Sequence, residues 1–272
     1  MVSMQEIHKK FNTVYSEINR AVIGQDKVIE QMMAAILCNG HAFVEGYPGL
    51  AKTLLVKTLA DVMDLRFSRI QGTPDLLPSD ITGTYIIDET HAKKEFKFQP
   101  GPIFANVVLM DEVNRATAKS HSAVLEAMQE RQVTVGNSTY KLEEPFFVLA
   151  TANPIEQEGV NKLSEAQLDR FLFKINITYP KIEDEYKIVE RYSDKAIGDI
   201  KLRKIFSKDD VLKLQNYARQ VPLANDIRNY AVHVINKTRN CKDLIEYGAS
   251  PRASINLVLA AKARALMNGR KY

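Results

Sequence analysis

The segment GYPGLAKT, which begins at Gly46, lies between a short apolar run and an amphipathic segment. A glycine-rich turn between a strand and a helix is the context that a phosphate-binding loop requires, because its backbone N–H groups converge on phosphate oxygens. Lys52 would then contact the β- and γ-phosphates of a nucleotide, and the Thr53 hydroxyl would bind Mg²⁺. The candidate cofactor-binding residues of this loop are Gly46, Pro48, Gly49, Leu50, Ala51, Lys52, Thr53 and Leu54.

One position of the loop departs from the usual GxxxxGK[ST] pattern, because Ala51 stands where the second glycine is expected. Alanine tolerates a helical backbone, so we expect Ala51 to weaken the match without abolishing the loop. The alternative is a turn that contains glycine and lysine by coincidence. A match of this length arises by chance in roughly one chain in a hundred, which favours the phosphate-binding interpretation.

Two carboxylates, Asp111 and Glu112, follow the apolar run VVLM. At the end of a strand they could divide two tasks of phosphoryl transfer. Asp111 would hold Mg²⁺ through water, and Glu112 would orient and polarise the attacking water. Alone, the pair could equally be a solvated strand end, but its presence beside a phosphate-binding loop favours the catalytic role.

Asn153 follows a second apolar run, FFVLAT. On a strand next to the acidic pair, its amide could hydrogen-bond the γ-phosphate or the attacking water. Taken alone, an asparagine before Pro154 would be a turn residue. The order of loop, acidic pair and polar strand end is what favours a functional role.

The chain resembles the MoxR family of AAA+ ATPases. The resemblance covers about residues 18–267 and rests on six motifs in order, namely VIGQ, GYPGLAKT, LMDEVNRA, LATANP, SEAQLDRF and GASPRA. MoxR proteins carry alanine before the loop lysine, so Ala51 matches the family. The resemblance assigns Walker A to Lys52 and Thr53, Walker B to Asp111 and Glu112, and sensor 1 to Asn153.

Further roles enter only through the resemblance. Arg170 looks like an arginine finger, which must reach a neighbour's nucleotide, and Arg252 looks like sensor 2, expected to act within its own chain. An ion pair of Arg170 with Asp169 is the structural alternative. Arg252 could instead be a surface charge at a helix start, where a cation opposes the helix dipole. Arg115 could also face a neighbouring subunit. The residues implied to line the adenine pocket are Ile23, Gly24 and Gln25.

Strands and helices alternate as far as Pro180. Apolar runs predict strands at 41–45, 66–71, 103–110, 146–150 and 171–177, the third of them apolar on both faces as in a central parallel strand. Helical spacing predicts two helices within 5–39, one at 53–64 and one around 124–128. Beyond Pro180 only helices are predicted, at 184–193, 209–220, 226–238 and 254–267. We therefore predict an α/β class, with a P-loop AAA+ core at 1–180 and an all-helical lid at 181–272.

Two hairpins are predicted, at about 82–99 and 132–142. The resemblance identifies them as the helix-2 insertion and the pre-sensor-1 hairpin, which in related ATPases point toward a ring pore and touch the client. The alternative is ordinary extension of the sheet. The resemblance also implies more lid helices than the chain contains after the helix of Arg252.

Composition excludes several classes of protein. Of 272 residues, 45% are hydrophobic and 26% charged, which is unlike a disordered tail, a collagen-like fibre or a disulfide scaffold. Cys38 and Cys241 have no metal-like or redox spacing, so we expect buried free thiols. No apolar run approaches the ~20 residues of a membrane span, and the start is too polar for a signal peptide. We expect a cytoplasmic protein.

The expected function is Mg²⁺-dependent ATP hydrolysis that drives chaperone-like remodelling or maturation of protein complexes. The resemblance implies a homo-oligomer in the form of a hexameric ring, with client proteins and von Willebrand factor A domain proteins as partners. One alternative is a nucleotide-gated binding switch with little hydrolysis, which would need neither Glu112 nor Arg170.

A second alternative is an MCM-like nucleic-acid motor. The net charge of +4 neither requires nor excludes such a partner. A motor of this kind should carry a concentrated basic hairpin, whereas Lys141 and Arg131 in the second hairpin are balanced by Glu143 and Glu144. The charge pattern therefore argues against nucleic acid.

Overall fold

A parallel sheet with helices on both faces forms the first part of the protein. The computed structural model describes residues 3–88, 95–154, 161, 163–193 and 200–272. The strands are β1 Ala42–Gly46, β2 Phe67–Gln71, β3 Gly83–Asp88, β4 Glu95–Pro100, β5 Val107–Asp111, β6 Gln132–Val135, β7 Ser138–Lys141, β8 Phe147–Ala152 and β9 Phe173–Ile177. The helices are α1 Met4–Ile18, α2 Asp26–Leu37, α3 Lys52–Val62, α4 Pro78–Thr82, α5 Ala118–Glu130, α6 Glu165–Leu168, α7 Ile182–Ser193, α8 Lys208–Gln220, α9 Asn225–Asn240 and α10 Pro251–Met267.

The five-stranded sheet has the order β2-β5-β8-β1-β9, and every pairing is parallel. Side chains of β5 alternate between two apolar clusters, since Val107 and Leu109 join one and Val108 and Met110 join the other. Successive side chains of a strand point to opposite faces, so helices must cover both faces. The fold class predicted from the sequence is confirmed.

Parallel pairing gives the sheet two chemically different edges. We call the side where the strands end the carboxyl edge and the opposite side the amino edge. The register places Gly46 beside Ile177 and Gln71 beside Asp111 at the carboxyl edge. The loops after β1, β5 and β8 therefore leave the sheet on one side, where the candidate loop, acidic pair and asparagine were predicted to meet.

Some local expectations were wrong. The run 103–110 forms a strand only from Val107, because the buried amide of Asn106 accepts the Arg66 N–H at 3.2 Å and donates to the Pro145 carbonyl at 3.1 Å. The helix α4, which was not predicted, begins at Pro78, since proline suits the first helical turn. Cys38 is buried as predicted, but Cys241 is partly exposed.

The two predicted hairpins form as β3–β4 and β6–β7, and residues 89–94 between the first two arms lie outside the described residues. An aromatic contact joins the hairpins to each other. The rings of Phe98 and Tyr140 stack with centroids 4.1 Å apart, and the hydroxyls of Tyr85 and Tyr140 are 2.7 Å apart. The hairpins therefore form one packed unit beside the sheet.

Among the described residues beyond Ile177, every regular element is a helix, while the boundary at Pro180 stays a prediction. These helices contact the amino-terminal segment. Arg191 donates to the carbonyls of Asn19 and Arg20 at 2.8 and 2.6 Å, just after α1. In the part of the chain that the structure describes, no helix is long and apolar enough to cross a bilayer.

Candidate active site

The predicted phosphate-binding loop connects β1 to α3 at the carboxyl edge. It opens on a cleft of about 590 Å³, which we call the carboxyl-edge cleft. The N–H groups of the first turn of α3 and the positive end of its dipole face this loop, as anion binding requires. The residues that line the cleft are Pro48, Gly49, Leu50, Ala51, Lys52, Thr53, Leu54, Lys57, Asp111, Glu112 and Asn153.

The backbone at Ala51 is left-handed, with φ 53° and ψ 28°. The expectation of a helical backbone there was wrong, because Ala51 precedes the first helical residue and turns the chain into α3. Left-handed backbone favours glycine, which explains why a glycine usually occupies this position. Gly49, with φ 81°, supplies the other left-handed residue of the loop.

The Lys52 ammonium donates to the carbonyl of Gly46 at 2.7 Å. This bond folds the side chain back over the loop and holds a positive charge at its centre. Thr53 follows in the first turn of α3, so its hydroxyl and the lysine lie beside the same N–H groups. The loop thus has the donors for phosphate and one oxygen ligand for a hard cation.

The Asp111 carboxylate is held from two neighbouring strands. Arg69 of β2 donates to its Oδ2 through Nε at 3.1 Å and through Nη2 at 2.7 Å. Thr151 of β8 donates from Oγ1 to its Oδ1 at 2.5 Å. These contacts fix the orientation of a carboxylate whose side chain is only 12% exposed.

Glu112 leaves the strand with φ 52°, a left-handed conformation that is uncommon for a non-glycine residue and is often found in active sites. Its Oε2 accepts from Gln71 Nε2 at 2.8 Å and from Arg115 Nη1 at 2.9 Å. The backbone of Gly72 passes so close that a Cβ there would lie 2.2 Å from the Glu112 carbonyl oxygen. Arg115, which was considered as a contact to a neighbouring subunit, forms an ion pair with Glu112 of its own chain.

Asn153 lies just beyond β8, the strand between β1 and β5. This central position brings it into the cleft between the loop and the acidic pair. Lys52, Thr53, Asp111, Glu112 and Asn153 therefore meet in one place, although they are distant in sequence.

The segment predicted to line the adenine pocket also lies at the carboxyl edge. Gln25 Nε2 donates to the Thr178 carbonyl at 3.3 Å, just after β9. Gly24, with φ 77°, approaches α7 so closely that a Cβ would lie 2.9 Å from Asp184 Oδ2. The segment that contains Ile23 thus joins the sheet edge to the first helix after Pro180, while its contact with adenine stays a prediction.

Arg170 and Arg252 lie elsewhere. Both line a second cleft of about 260 Å³, the amino-edge cleft, together with Gly40 and His41, which precede β1. Arg252 pairs with Asp169 at 3.1 Å, so the partner expected for Arg170 belongs to Arg252. A five-residue strand spans about 15 Å, so neither arginine reaches the loop of its own chain. Arg252 therefore lies away from the loop of its own chain, and its role as sensor 2 stays a prediction.

Arginines provide the charge of the amino-edge cleft. Burial lowers the pKa of His41 to about 3, so this ring is neutral. His41 serves the fold, since its Nδ1 accepts the Val148 N–H at 3.0 Å and its Nε2 donates to the Met128 carbonyl at 3.0 Å. Arg170, Arg219 and Arg252 make the cleft suitable for an anion.

Sequence reasoning missed the residues that hold the acidic pair, which are Arg69, Gln71, Gly72 and Thr151. The sequence does contain a pattern that could have identified two of them. Arg69 and Gln71 flank Ile70 at a spacing of two, which places both polar side chains on one face of a strand. The partner of that face depends on strand order, which the sequence pattern alone does not supply.

Thr151 provides a stability test of this site. Its hydroxyl donates to Asp111 and accepts the Glu112 N–H at 3.0 Å, and the residue is fully buried. Thr151→Val keeps the shape of the side chain but removes the hydrogen-bond partner of Asp111 Oδ1 and of the Glu112 N–H. We therefore expect the free energy of unfolding to fall by about 1–3 kcal/mol. Thr151→Ser keeps the hydroxyl and is the matched control in urea denaturation. Equal loss in both variants would contradict the role of the hydroxyl.

Comparison with known proteins agrees with the geometry. Residues 41–173 match the model of the ATPase family associated with various cellular activities (AAA), and residues 237–272 match an AAA lid domain. Chaperone MoxR1 of Mycobacterium tuberculosis is 44% identical over 98% of this chain and 71% of its own length. Protein MoxR of Methylorubrum extorquens is 29% identical over 94% of this chain and 80% of its own length.

A solved structure gives the same result. The crystal structure of a candidate ATPase from Cytophaga hutchinsonii superposes with a TM-score of 0.90 at 45% identity, over 99% of this chain and 83% of that one. The lysine loop, the acidic pair and the asparagine in one cleft are the parts that ATP hydrolysis by this class needs. The chain belongs to the MoxR family of AAA+ ATPases.

Proposed function

We propose that this ATPase hydrolyses Mg²⁺-bound ATP in a homo-oligomeric ring and uses the cycle to remodel protein clients. One observation supports this most. The carboxyl-edge cleft holds the phosphate loop and acidic pair, whereas Arg170 lies at the opposite edge of the sheet. A site whose arginine cannot reach it needs a neighbouring copy.

The residues present fit both ATP and Mg²⁺. Left-handed Gly49 and Ala51 shape a loop whose N–H groups can surround phosphate oxygens. The Thr53 hydroxyl and the Asp111 carboxylate are hard oxygen donors, and together they would hold the ion, Asp111 through water. When bound, Mg²⁺ would supply positive charge to the phosphate oxygens as phosphoryl transfer develops.

Each residue of the cleft has a distinct task in this proposal. Lys52 leaves the Gly46 carbonyl to contact the β- and γ-phosphates, and Asn153 positions the attacking water through its amide. Glu112 orients that water and draws its proton. Because Glu112 Oε2 is bonded to Gln71 and Arg115, the carboxylate must release these partners or use Oε1.

Both arginines of the amino-edge cleft act on a neighbour's nucleotide in the ring. Arg170 serves as the finger, and Arg252, fixed by Asp169 at the same edge, approaches from the same side. A guanidinium can contact two phosphate oxygens at once and remains charged at neutral pH. Hydrolysis then requires assembly.

Apolar side chains on the first hairpin suit a protein client. Ile87 and Phe96 are cross-strand partners, 54% and 77% exposed, and they continue the face on which Tyr85 pairs with Phe98. The four side chains on this face are apolar or aromatic, so the surface favours an apolar peptide segment. The proposed partners are clients of this kind and, from the family resemblance, von Willebrand factor A domain proteins, with a hexamer as the proposed ring.

Dependence on assembly gives a direct test. We expect the ATPase rate per chain to rise with protein concentration and then to level off, because Arg170 cannot complete its own site. The measurement is phosphate release over a dilution series, with light scattering to follow the oligomer. Arg170→Ala is the control and should stay low at every concentration. A constant rate per chain in a sample that light scattering shows to be monomeric would contradict the proposal.

A further inference from the structure

Arg69 is hydrogen-bonded to Asp111, the carboxylate to which the proposed function assigns Mg²⁺ binding. Its guanidinium donates twice to a single oxygen, Asp111 Oδ2, at 3.1 and 2.7 Å. Arg69 Nη2 also donates to Gln71 Oε1 at 2.6 Å, which holds the guanidinium beside Asp111. The arginine side chain is 48% exposed, so part of it faces solvent.

The hydrogen-bonding capacity of Asp111 is nearly used up. A carboxylate offers about four lone-pair sites, and Arg69 takes two of them on Oδ2. Thr151 takes one on Oδ1 at 2.5 Å, so one site on Oδ1 is left for a metal-bound water. The charge is balanced as well, because Arg69 neutralises Asp111 and Arg115 neutralises Glu112.

We propose that Arg69 is an internal counter-ion of Asp111 that keeps the cleft from binding Mg²⁺ until nucleotide phosphates are present. The inference rests on the proposed role of Asp111 in metal binding. A divalent cation beside Asp111 is repelled by the Arg69 guanidinium, whose Nη2 lies 2.7 Å from Asp111 Oδ2. Phosphate oxygens add the negative charge that overcomes it, so the metal enters with the nucleotide.

Arg69 is therefore a positioning residue with a second effect on metal affinity. Simple orientation of Asp111 by Arg69 would strengthen metal binding, whereas a competing charge weakens it. Removing the charge of Arg69 should therefore lower the metal affinity if orientation of Asp111 dominates, and raise it if charge repulsion dominates. The direction of the change in metal affinity distinguishes the two effects.

The test uses Mn²⁺, a paramagnetic substitute for Mg²⁺, titrated into the full chain without nucleotide, with free Mn²⁺ read by electron paramagnetic resonance. We expect Arg69→Met to raise the apparent Mn²⁺ affinity at least about tenfold, because the repelling charge is gone. Arg69→Lys keeps a charge there and should stay near the natural chain. Asp111→Asn combined with Arg69→Met should lose the gain.

Each outcome has a defined meaning. Unchanged or weaker Mn²⁺ binding in Arg69→Met, with circular dichroism showing a folded chain, would overturn the inference. Arg69→Gln, which keeps a polar side chain beside Gln71, provides the same test if the methionine variant does not fold. A repeat with a non-hydrolysable ATP analogue tests the proposed function separately, since failure of the natural chain to bind Mn²⁺ even then would count against Asp111 as a metal site.

Discussion

Glu112→Gln is expected to bind ATP as the natural chain does and to hydrolyse it at least about a hundredfold more slowly. Glutamine keeps the size of the side chain, but its amide cannot take a proton from water, and a positioned base contributes about 10²–10⁴ to a rate. The substitution also removes the salt bridge between Glu112 and Arg115, but this pair is partly exposed, so the fold should tolerate the change. Fluorescence anisotropy of a labelled ATP analogue and phosphate release measure the two quantities.

Lys52→Ala should show the opposite behaviour, with ATP affinity reduced at least about tenfold. The ammonium at the loop is a charged donor to phosphate, and such bonds contribute about 1.5–3 kcal/mol. Lys57 supplies a matched control, because it lines the same cleft five residues further along α3. Lys57→Ala should bind nearly normally. Undiminished hydrolysis by the Glu112 variant, or equal loss in the two lysine variants, would show that these roles are misassigned.

Local patterns were sufficient to predict most of the fold. The all-buried strand β5 and the loop of Lys52 were recognisable because burial on both faces, and a glycine turn before a helix, leave direct marks on a sequence. The meeting of Asp111 with Asn153 followed from parallel strands, whose ends share one edge. These inferences depend on neighbours in sequence or on a rule that all parallel sheets obey.

Contacts that depend on strand order were not predictable. Arg69 reaches Asp111 only because β2 pairs with β5 in one register, and Thr151 reaches it only because β8 lies on the other side. Ala51 was misjudged for another reason, since the alanine pattern does not show that the backbone there is left-handed. The place of Arg252 at the amino edge was not predictable either, because being in the same chain does not place a residue at a given edge of the sheet.

Mixed rings should restore activity when the two variants damage opposite sides of an interface. Arg170→Ala keeps its nucleotide cleft and Lys52→Ala keeps its arginines, so random mixing completes about a quarter of the sites. An arginine finger contributes about 10³–10⁵ to the rate of related phosphoryl transfers, so this fraction is easily measured above either variant alone. Glu112→Gln mixed with Lys52→Ala is the control and should remain inactive, because each chain lacks a residue of its own cleft.

Arg252 makes the experiment decisive. It lies beside Arg170 in the amino-edge cleft, so Arg252→Ala mixed with Lys52→Ala should also recover activity. The mixture of Arg170→Ala with Arg252→Ala should then stay inactive, because every interface lacks one of the two arginines. If Arg252 instead served its own chain, that last mixture would recover, since a cleft with its own Arg252 would meet a neighbour with an intact Arg170. Energy transfer between labelled subunits verifies exchange, and phosphate release then assigns Arg252 to the neighbouring or to its own nucleotide.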